Sequence, residues 1–79
     1  MNKYNVYYKI KNEKSIKALL FAVKFGFKLG RIGVDESHSA ALPNGYYGEM
    51  GLDEKQAKKA YTMLLGCKSI VDIKVEKTN

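Results

Sequence analysis

The residue types best suited to proton transfer or metal binding lie together in the segment DESHS, which contains Asp35, Glu36 and His38. A histidine changes charge near neutral pH and, beside carboxylates, could shuttle a proton or hold a metal ion. Metal sites usually draw ligands from several segments, and no other segment here supplies a matching set. We therefore expect a polar loop with a solvated histidine, no metal site and no cofactor.

A single cysteine and a few carboxylates are the other candidates for catalysis. Cys67 follows the end of a predicted helix, where the thiol lacks the helix N-terminal field that lowers a cysteine pKa. A glycosidase-like carboxylate pair could be drawn from Glu49, Asp53 and Glu54, but a helix cap and the helix dipole account for the last two. The sequence therefore favours a protein that is not an enzyme, and a small-ligand enzyme is the third hypothesis.

The chain is basic, with 14 lysines and arginines against 8 acidic residues and a formal net charge of +6. Most of the excess lies in its first half. A positive surface favours nucleic acid, acidic proteins or anionic lipid through long-range attraction. The lone cysteine and the polar N-terminal segment favour the cytoplasm. The longest apolar stretch is interrupted by Lys24 and Lys28, so we expect no membrane span and no membrane partner.

The elements that must position these groups are predicted from periodicity. NKYNVYYKI alternates and is rich in aromatic and β-branched residues, which is typical of a strand. The residues expected to face the core are Tyr4, Val6, Tyr8 and Ile10. A helix should follow, from an N-cap at Asn12 to about Leu29, with Gly30 as its stop.

The second half of the chain predicts a hairpin, a helix and a final strand. Ile32 and Val34 have strand spacing, and PNG supplies a turn before a short aromatic strand. DEKQAKKAYTMLLG opens with a capping box of Asp53 and Gln56, and SIVDIKVEK alternates. The order strand, helix, hairpin, helix, strand predicts an α+β, ferredoxin-like βαββαβ fold, with a four-stranded antiparallel sheet and two helices on one face. Residues 1–79 should form a single domain.

The first helix is more apolar than one buried face requires. On a helical wheel, the predicted core face comprises Ile16, Leu19, Leu20, Val23 and Phe27. Lysines form a stripe beside that face. The side left pointing away from the core comprises Phe21, Phe25 and Leu29. We expect these three residues either to form an interface or to be covered by residues 31–45 or a sheet edge.

The open face of the sheet is a second candidate surface. Tyr7 and Lys9 should share it with Lys74 and with one of Tyr46 and Tyr47. Aromatic residues on central strands with flanking lysines are how RNA-recognition sheets stack bases. The segment NGYYGEM matches the corresponding sequence motif only in part, so half-exposed structural tyrosines are the simpler interpretation.

The leading functional hypothesis is a small, non-enzymatic binding module that engages nucleic acid or a nucleoprotein complex, chiefly through charge. The residues expected to contact nucleic acid are Lys14, Lys17, Lys24, Lys28, Arg31, Tyr7, Lys9, Tyr46 and Tyr47. The alternative is a protein-binding inhibitor or accessory factor of the kind that mobile elements such as phages encode. That protein could also be a homodimer packed through Phe21 and Phe25.

Overall fold

A computed structural model describes residues 3–12 and 14–78. Its elements are β1 (Lys3–Ile10), α1 (Ile16–Arg31), a 3₁₀ turn (Glu36–His38), β2 (Ser39–Ala41), β3 (Tyr46–Leu52), α2 (Glu54–Leu65) and β4 (Ile70–Thr78). The strands form one antiparallel sheet in the order β2-β3-β1-β4. This arrangement confirms the predicted ferredoxin-like α+β fold. No helix in the described ranges is long and apolar enough to cross a membrane.

Strand β1 lies in the middle of the sheet and supplies the centre of the core. Val6, Tyr8 and Ile10 are buried, and Tyr4 packs against them. The alternating neighbours Asn5, Tyr7 and Lys9 are more exposed, so the predicted division of this strand into two faces is confirmed.

Helix α2 begins where its capping box predicts. The Asp53 carboxylate accepts a hydrogen bond from the Gln56 backbone N–H at 2.7 Å, and the Gln56 side chain accepts one from the Asp53 N–H at 3.1 Å. The helix buries Ala57, Ala60 and Leu64. Spacings of three and four place these residues on one face, against the sheet.

Helix α1 begins at a different residue from the predicted one. Asn12 has a positive φ of 53°, a conformation that asparagine tolerates better than most residues. Its carbonyl accepts a hydrogen bond from the Ser15 N–H at 2.8 Å and closes a turn. Ser15 is the N-cap, and its hydroxyl accepts from the Ala18 N–H at 3.2 Å. The predicted cap at Asn12 is therefore wrong, because a turn separates β1 from the helix.

The side of α1 that faces the core is also the opposite of the predicted one. Phe25 and Leu29 are only 4% and 3% exposed, and the half-buried Phe21 packs against them. The five residues predicted to be core are 57–76% exposed. On this side of the helix, Phe25 packs edge to face against Tyr8 of the sheet, a geometry that aromatic pairs favour. The exposure of Phe25 and Leu29 that the predicted interface required is therefore wrong, and Phe21 is half-buried.

The segment after α1 is a loop rather than the predicted first hairpin arm. The Val34 N–H donates to the Leu29 carbonyl at 2.9 Å and holds the chain against the helix end, and the Val34 side chain is buried. The hairpin itself is confirmed, but β2 comprises only Ser39–Ala41. It turns through Gly45, whose φ of 82° favours glycine.

Candidate interaction site

The most exposed apolar surface of the described residues lies on α1. We name it the outer apolar face; it comprises Ile16, Leu19, Leu20, Val23 and Phe27. These side chains are 57–76% exposed and form an apolar patch on the order of a few hundred Å², the scale of the largest patch on a typical monomer, about 300–600 Å². A patch of this size on a small protein is typical of a contact surface.

A row of cations runs along one flank of the outer apolar face. We name it the basic row; it comprises Lys17, Lys24, Lys28 and Arg31, all of them exposed. The only ion pair among residues 3–12 and 14–78 is Lys58 with Glu54 on α2, at 3.1 Å. Lys14 is exposed just before the helix. In the structure the lysines of α1 lie on one side of the helix, as predicted.

A cleft of about 630 Å³ lies on the other flank of α1, between the helix and the β2–β3 hairpin. Its helix wall includes the small residues Ala22, Gly26 and Gly30. A Cβ atom added at either glycine would have no heavy atom within 4 Å, so the space beside them is open. The acidic residues that line the cleft are Asp35, Glu36 and Glu49. No lysine or arginine from the described part of the chain lines it.

Glu49 lines this cleft and is 2% exposed. Its Oε1 accepts a hydrogen bond from the Tyr8 hydroxyl at 3.1 Å, and its Oε2 accepts one from the Ser39 hydroxyl at 2.6 Å; the Ser39 oxygen is also 3.0 Å from Oε1. Burial raises the pKa of Glu49, and the hydrogen bonds from Ser39 and Tyr8 oppose that rise only in part. Burial, followed by the negative charge of Glu49, raises the pKa of Tyr8, so its hydroxyl remains a donor.

The outer face of the sheet brings together the groups that the strand pattern predicts. The ammonium groups of Lys9 and Lys74 lie over the Tyr46 ring, 5.8 Å and 5.1 Å from its centroid. The hydroxyl of Tyr46 donates to Asp72, an interaction that raises the pKa of Tyr46. Tyr47 points to the opposite side and stacks on Tyr8. Of the two alternatives, Tyr46 is therefore the residue on the outer face.

Tyr7 lies on the same outer face but is not a free stacking platform. Its ring lies over Gly48, where an added Cβ would be 3.1 Å from a ring carbon. Its hydroxyl is 3.3 Å from the Glu76 carboxylate. Because two lysines lie over the Tyr46 ring, both outer aromatic rings already have partners within the chain.

The residues of the DESHS segment do not converge on one point. Asp35 accepts a hydrogen bond from the Ser37 N–H at 2.9 Å, and hydrogen bonding to Ser37 lowers the pKa of Asp35. His38 Nδ1 lies 2.8 Å from the Met50 carbonyl, to which it must donate. His38 is therefore half-buried and anchored to β3, and the expected solvated histidine is wrong. Among the residues described, no group of three or more His, Cys, Asp or Glu is placed to hold a metal ion.

Cys67 lies at the end of α2 and is half-buried. Its Sγ is 3.1 Å from the Met63 carbonyl, one helical turn earlier, to which the thiol donates.

The acidic cleft is the feature that the sequence did not predict. In the sequence Glu49 is one of three carboxylates that could form a catalytic pair, and no local pattern marks it as buried. Its burial depends on the packing of β1, β2 and β3 against one another. A signal was nevertheless present, since placing Tyr46 on the outer face puts Tyr47 and Glu49 on the inner one.

Comparisons of the chain with protein-family models, with curated proteins and with solved structures found no match.

Proposed function

We propose that this chain is a small, non-enzymatic binding module that docks on a protein partner through α1. The observation that carries the proposal is the exposure of the outer apolar face, in which even the least exposed side chains are 57% accessible. Scattered apolar residues are normal on a protein surface, but five on one helical face form a contiguous patch. Helices that present such a face to a partner groove are a common mode of protein recognition.

The energetic scale supports an interface of this kind. Fully burying a Leu, Val, Ile or Phe side chain stabilises by about 1.5–3 kcal/mol. The five side chains of the outer apolar face are 57–76% exposed, so burying all of them contributes roughly 5–10 kcal/mol, within the range of the cost of ordering and association, about 4–15 kcal/mol. Phe27, the largest member of the patch and 72% exposed, is the expected anchor.

The basic row defines the second property of the partner. Lysines beside an apolar contact steer association and select a partner with an acidic rim. The partner surface should therefore combine an apolar groove for the outer apolar face with carboxylates on one side of that groove.

The decisive experiment compares variants that keep the core intact. Leu20→Asp and Phe27→Asp introduce a charge into the outer apolar face, and Leu65→Asp introduces the same charge at an exposed position on α2. A partner should be recovered from native cells with wild type and Leu65→Asp. Its affinity should then be measured with purified components. We expect at least about a hundredfold loss for the two α1 variants, from the loss of anchor burial and the desolvation of a charge.

Two outcomes would contradict this proposal. One is a partner that binds all three variants with wild-type affinity. The other is sedimentation of the purified wild type as a dimer that Phe27→Asp dissociates, because the outer apolar face would then belong to a second copy of the chain.

Nucleic-acid binding is the second candidate, and the exposed basic row is the observation that favours it. Lys17, Lys24 and Lys28 lie along one side of α1, where they could follow a phosphate backbone. Base stacking is the weaker part of this candidate, because a base would have to displace lysine from the Tyr46 ring.

A salt titration tests this candidate directly. If the basic row contacts phosphates, the affinity for a DNA or RNA oligonucleotide should fall steeply as salt rises. Changing Lys24 and Lys28 to Ala should reduce the slope of log affinity against log salt by roughly 1–2. The matched control is Lys55→Ala with Lys59→Ala on α2, which removes the same charge elsewhere. An affinity for the oligonucleotide that does not depend on salt, or no binding at low salt, would exclude nucleic-acid binding through the basic row.

A further inference from the structure

We propose that the cleft between α1 and the β2–β3 hairpin is a binding site for a small organic ammonium ion with an apolar or aromatic body. The site is distinct from the basic row, which lies on the opposite flank of α1. It shares only Val23 and Phe27 with the outer apolar face.

The charge of the cleft is the first argument. The chain has 14 basic and 8 acidic residues, yet Asp35, Glu36 and Glu49 line the cleft and no lysine or arginine of residues 3–12 and 14–78 does. A concentration of negative charge in a basic protein selects a cation. Asp35 and Glu36 are exposed lining residues, which would attract the ligand, and Glu49 is a buried one.

The hydrogen bonding of Glu49 is the second argument. An ionised carboxylate can accept about four hydrogen bonds. Tyr8 and Ser39 each have one hydroxyl proton, so together they fill about half of that capacity, although three contacts are within bonding distance. No lysine or arginine in the described ranges forms an ion pair with Glu49. An ammonium group from a ligand would supply both the remaining donors and the opposite charge.

The size and composition of the cleft are the third argument. A volume of about 630 Å³ lies within the usual range for small-molecule sites, about 300–1,000 Å³. Tyr8, Phe25 and Tyr47 provide aromatic surface near the carboxylate, and Ala22 and Gly26 leave room along the helix wall. A few convergent polar groups in a mainly apolar cleft orient a ligand by its charged end.

A series of three small molecules of nearly equal shape tests the proposal on the wild-type protein. Phenethylamine is a cation at pH 7, 2-phenylethanol is neutral, and 3-phenylpropanoate is an anion. We expect phenethylamine to bind with a dissociation constant of about 1 mM and to shift the amide NMR signals of Ala22, Gly26 and Glu49 in a saturable way. The alcohol should bind at least about tenfold more weakly, and the anion should not shift those signals.

Variants then locate the site. Glu49→Gln, which retains an acceptor for Tyr8 and Ser39, should weaken phenethylamine binding at least about tenfold. Gly26→Leu adds a side chain where the space is open and should weaken binding similarly by filling the cleft. Lys59→Ala, at an exposed position on α2 that does not line the cleft, should leave binding unchanged.

The proposal is overturned if no compound gives saturable shifts up to roughly 20 mM, since even a fragment of this size should reach millimolar affinity. It is also overturned if the alcohol or the anion binds as tightly as the amine, or if the shifts map to the outer face of the sheet. Because the ligand series uses the wild type, it decides the matter even if a variant fails to fold. Protein docking through Leu20 and Phe27 is measured separately and is unaffected by failure of this test.

Discussion

The ring of Phe25 on α1 meets the ring of Tyr8 on β1 edge to face, with centroids 5.3 Å apart and planes inclined at 78°. Phe21 stacks on Phe25 at 5.5 Å, and Tyr47 stacks on Tyr8 at 5.9 Å. These four rings connect the helix to two strands of the sheet. Because aromatic pairs favour such geometries, they fix the rotation of α1 about its axis and thereby the side of the helix that is exposed.

The two phenylalanines at positions 25 and 27 should differ sharply in their effect on stability. Phe25→Ala removes a buried ring and should lower the free energy of unfolding by about 3–5 kcal/mol. Phe27→Ala changes a side chain that is 72% exposed and should change it by no more than about 0.5 kcal/mol. Urea denaturation measures both. Equal effects, or the reverse order, would mean that α1 packs with its other side.

A pair of glycines tests the close contact on the outer face of the sheet. An added methyl group at Gly48 would lie 3.1 Å from the Tyr7 ring, so Gly48→Ala should destabilise the fold by about 1–3 kcal/mol. Gly26→Ala, in an open position inside a helix, should stabilise it by about 0.5–1 kcal/mol. The Tyr7→Ala background should relieve the cost at Gly48. If the cost persists there in thermal or urea unfolding, the ring contact is not its cause.

Gln56 should contribute more to stability than an ordinary cap residue. Its side-chain oxygen accepts from the Asp53 N–H, and its amide group donates to the Ile32 carbonyl at 3.1 Å, which ties α2 to the loop after α1. Gln56→Glu keeps the first bond, removes the second and sets a carboxylate against a carbonyl oxygen. We expect a loss of about 1–2 kcal/mol in denaturant unfolding. Asp53→Asn is the control, since it preserves a good N-cap, and an equal loss there would contradict the prediction.

The stability of the protein should depend on pH through Glu49. Burial raises the pKa of this carboxyl in the fold above its ordinary value of 4.5. The stabilisation that follows from a raised carboxyl pKa is complete below the unfolded-state pKa and is lost as pH rises through the folded-state pKa. Glu49→Gln cannot ionise, so its free energy of unfolding relative to wild type should increase between pH 4 and pH 8.

Two other titratable groups, Tyr8 and His38, affect the pKa of Glu49. A second pair of proteins separates the effect of His38 from that of burial. Tyr8 stays protonated in this range, because burial raises the pKa of its hydroxyl. Positive charge on His38 favours the Glu49 carboxylate and lowers its pKa. The comparison should therefore be repeated in a His38→Asn background. If the difference in free energy of unfolding between the Glu49 protein and its Glu49→Gln variant stays constant with pH in both backgrounds, the folded-state pKa of Glu49 is not raised.

Local periodicity carries most of the information about the fold. Alternation predicts β1 and β4, and the capping box of Asp53 and Gln56 places the start of α2. The glycine at position 45 marks the hairpin turn. The order of these elements leads to the ferredoxin-like topology, because short connections and right-handed crossovers leave few alternatives. These features depend on contacts between near neighbours, which the sequence displays directly.

The order of the helices and strands follows from patterns in the sequence, whereas the surfaces that remain exposed depend on tertiary packing. Both sides of α1 are apolar, so a helical wheel admits two orientations, and only the packing of Phe25 on Tyr8 selects one. The acidic cleft likewise exists because β1, β2 and α1 bring Tyr8, Ser39 and the small residues of the helix around Glu49. Periodicity describes a single element, whereas exposure depends on what residues distant in the sequence place against it.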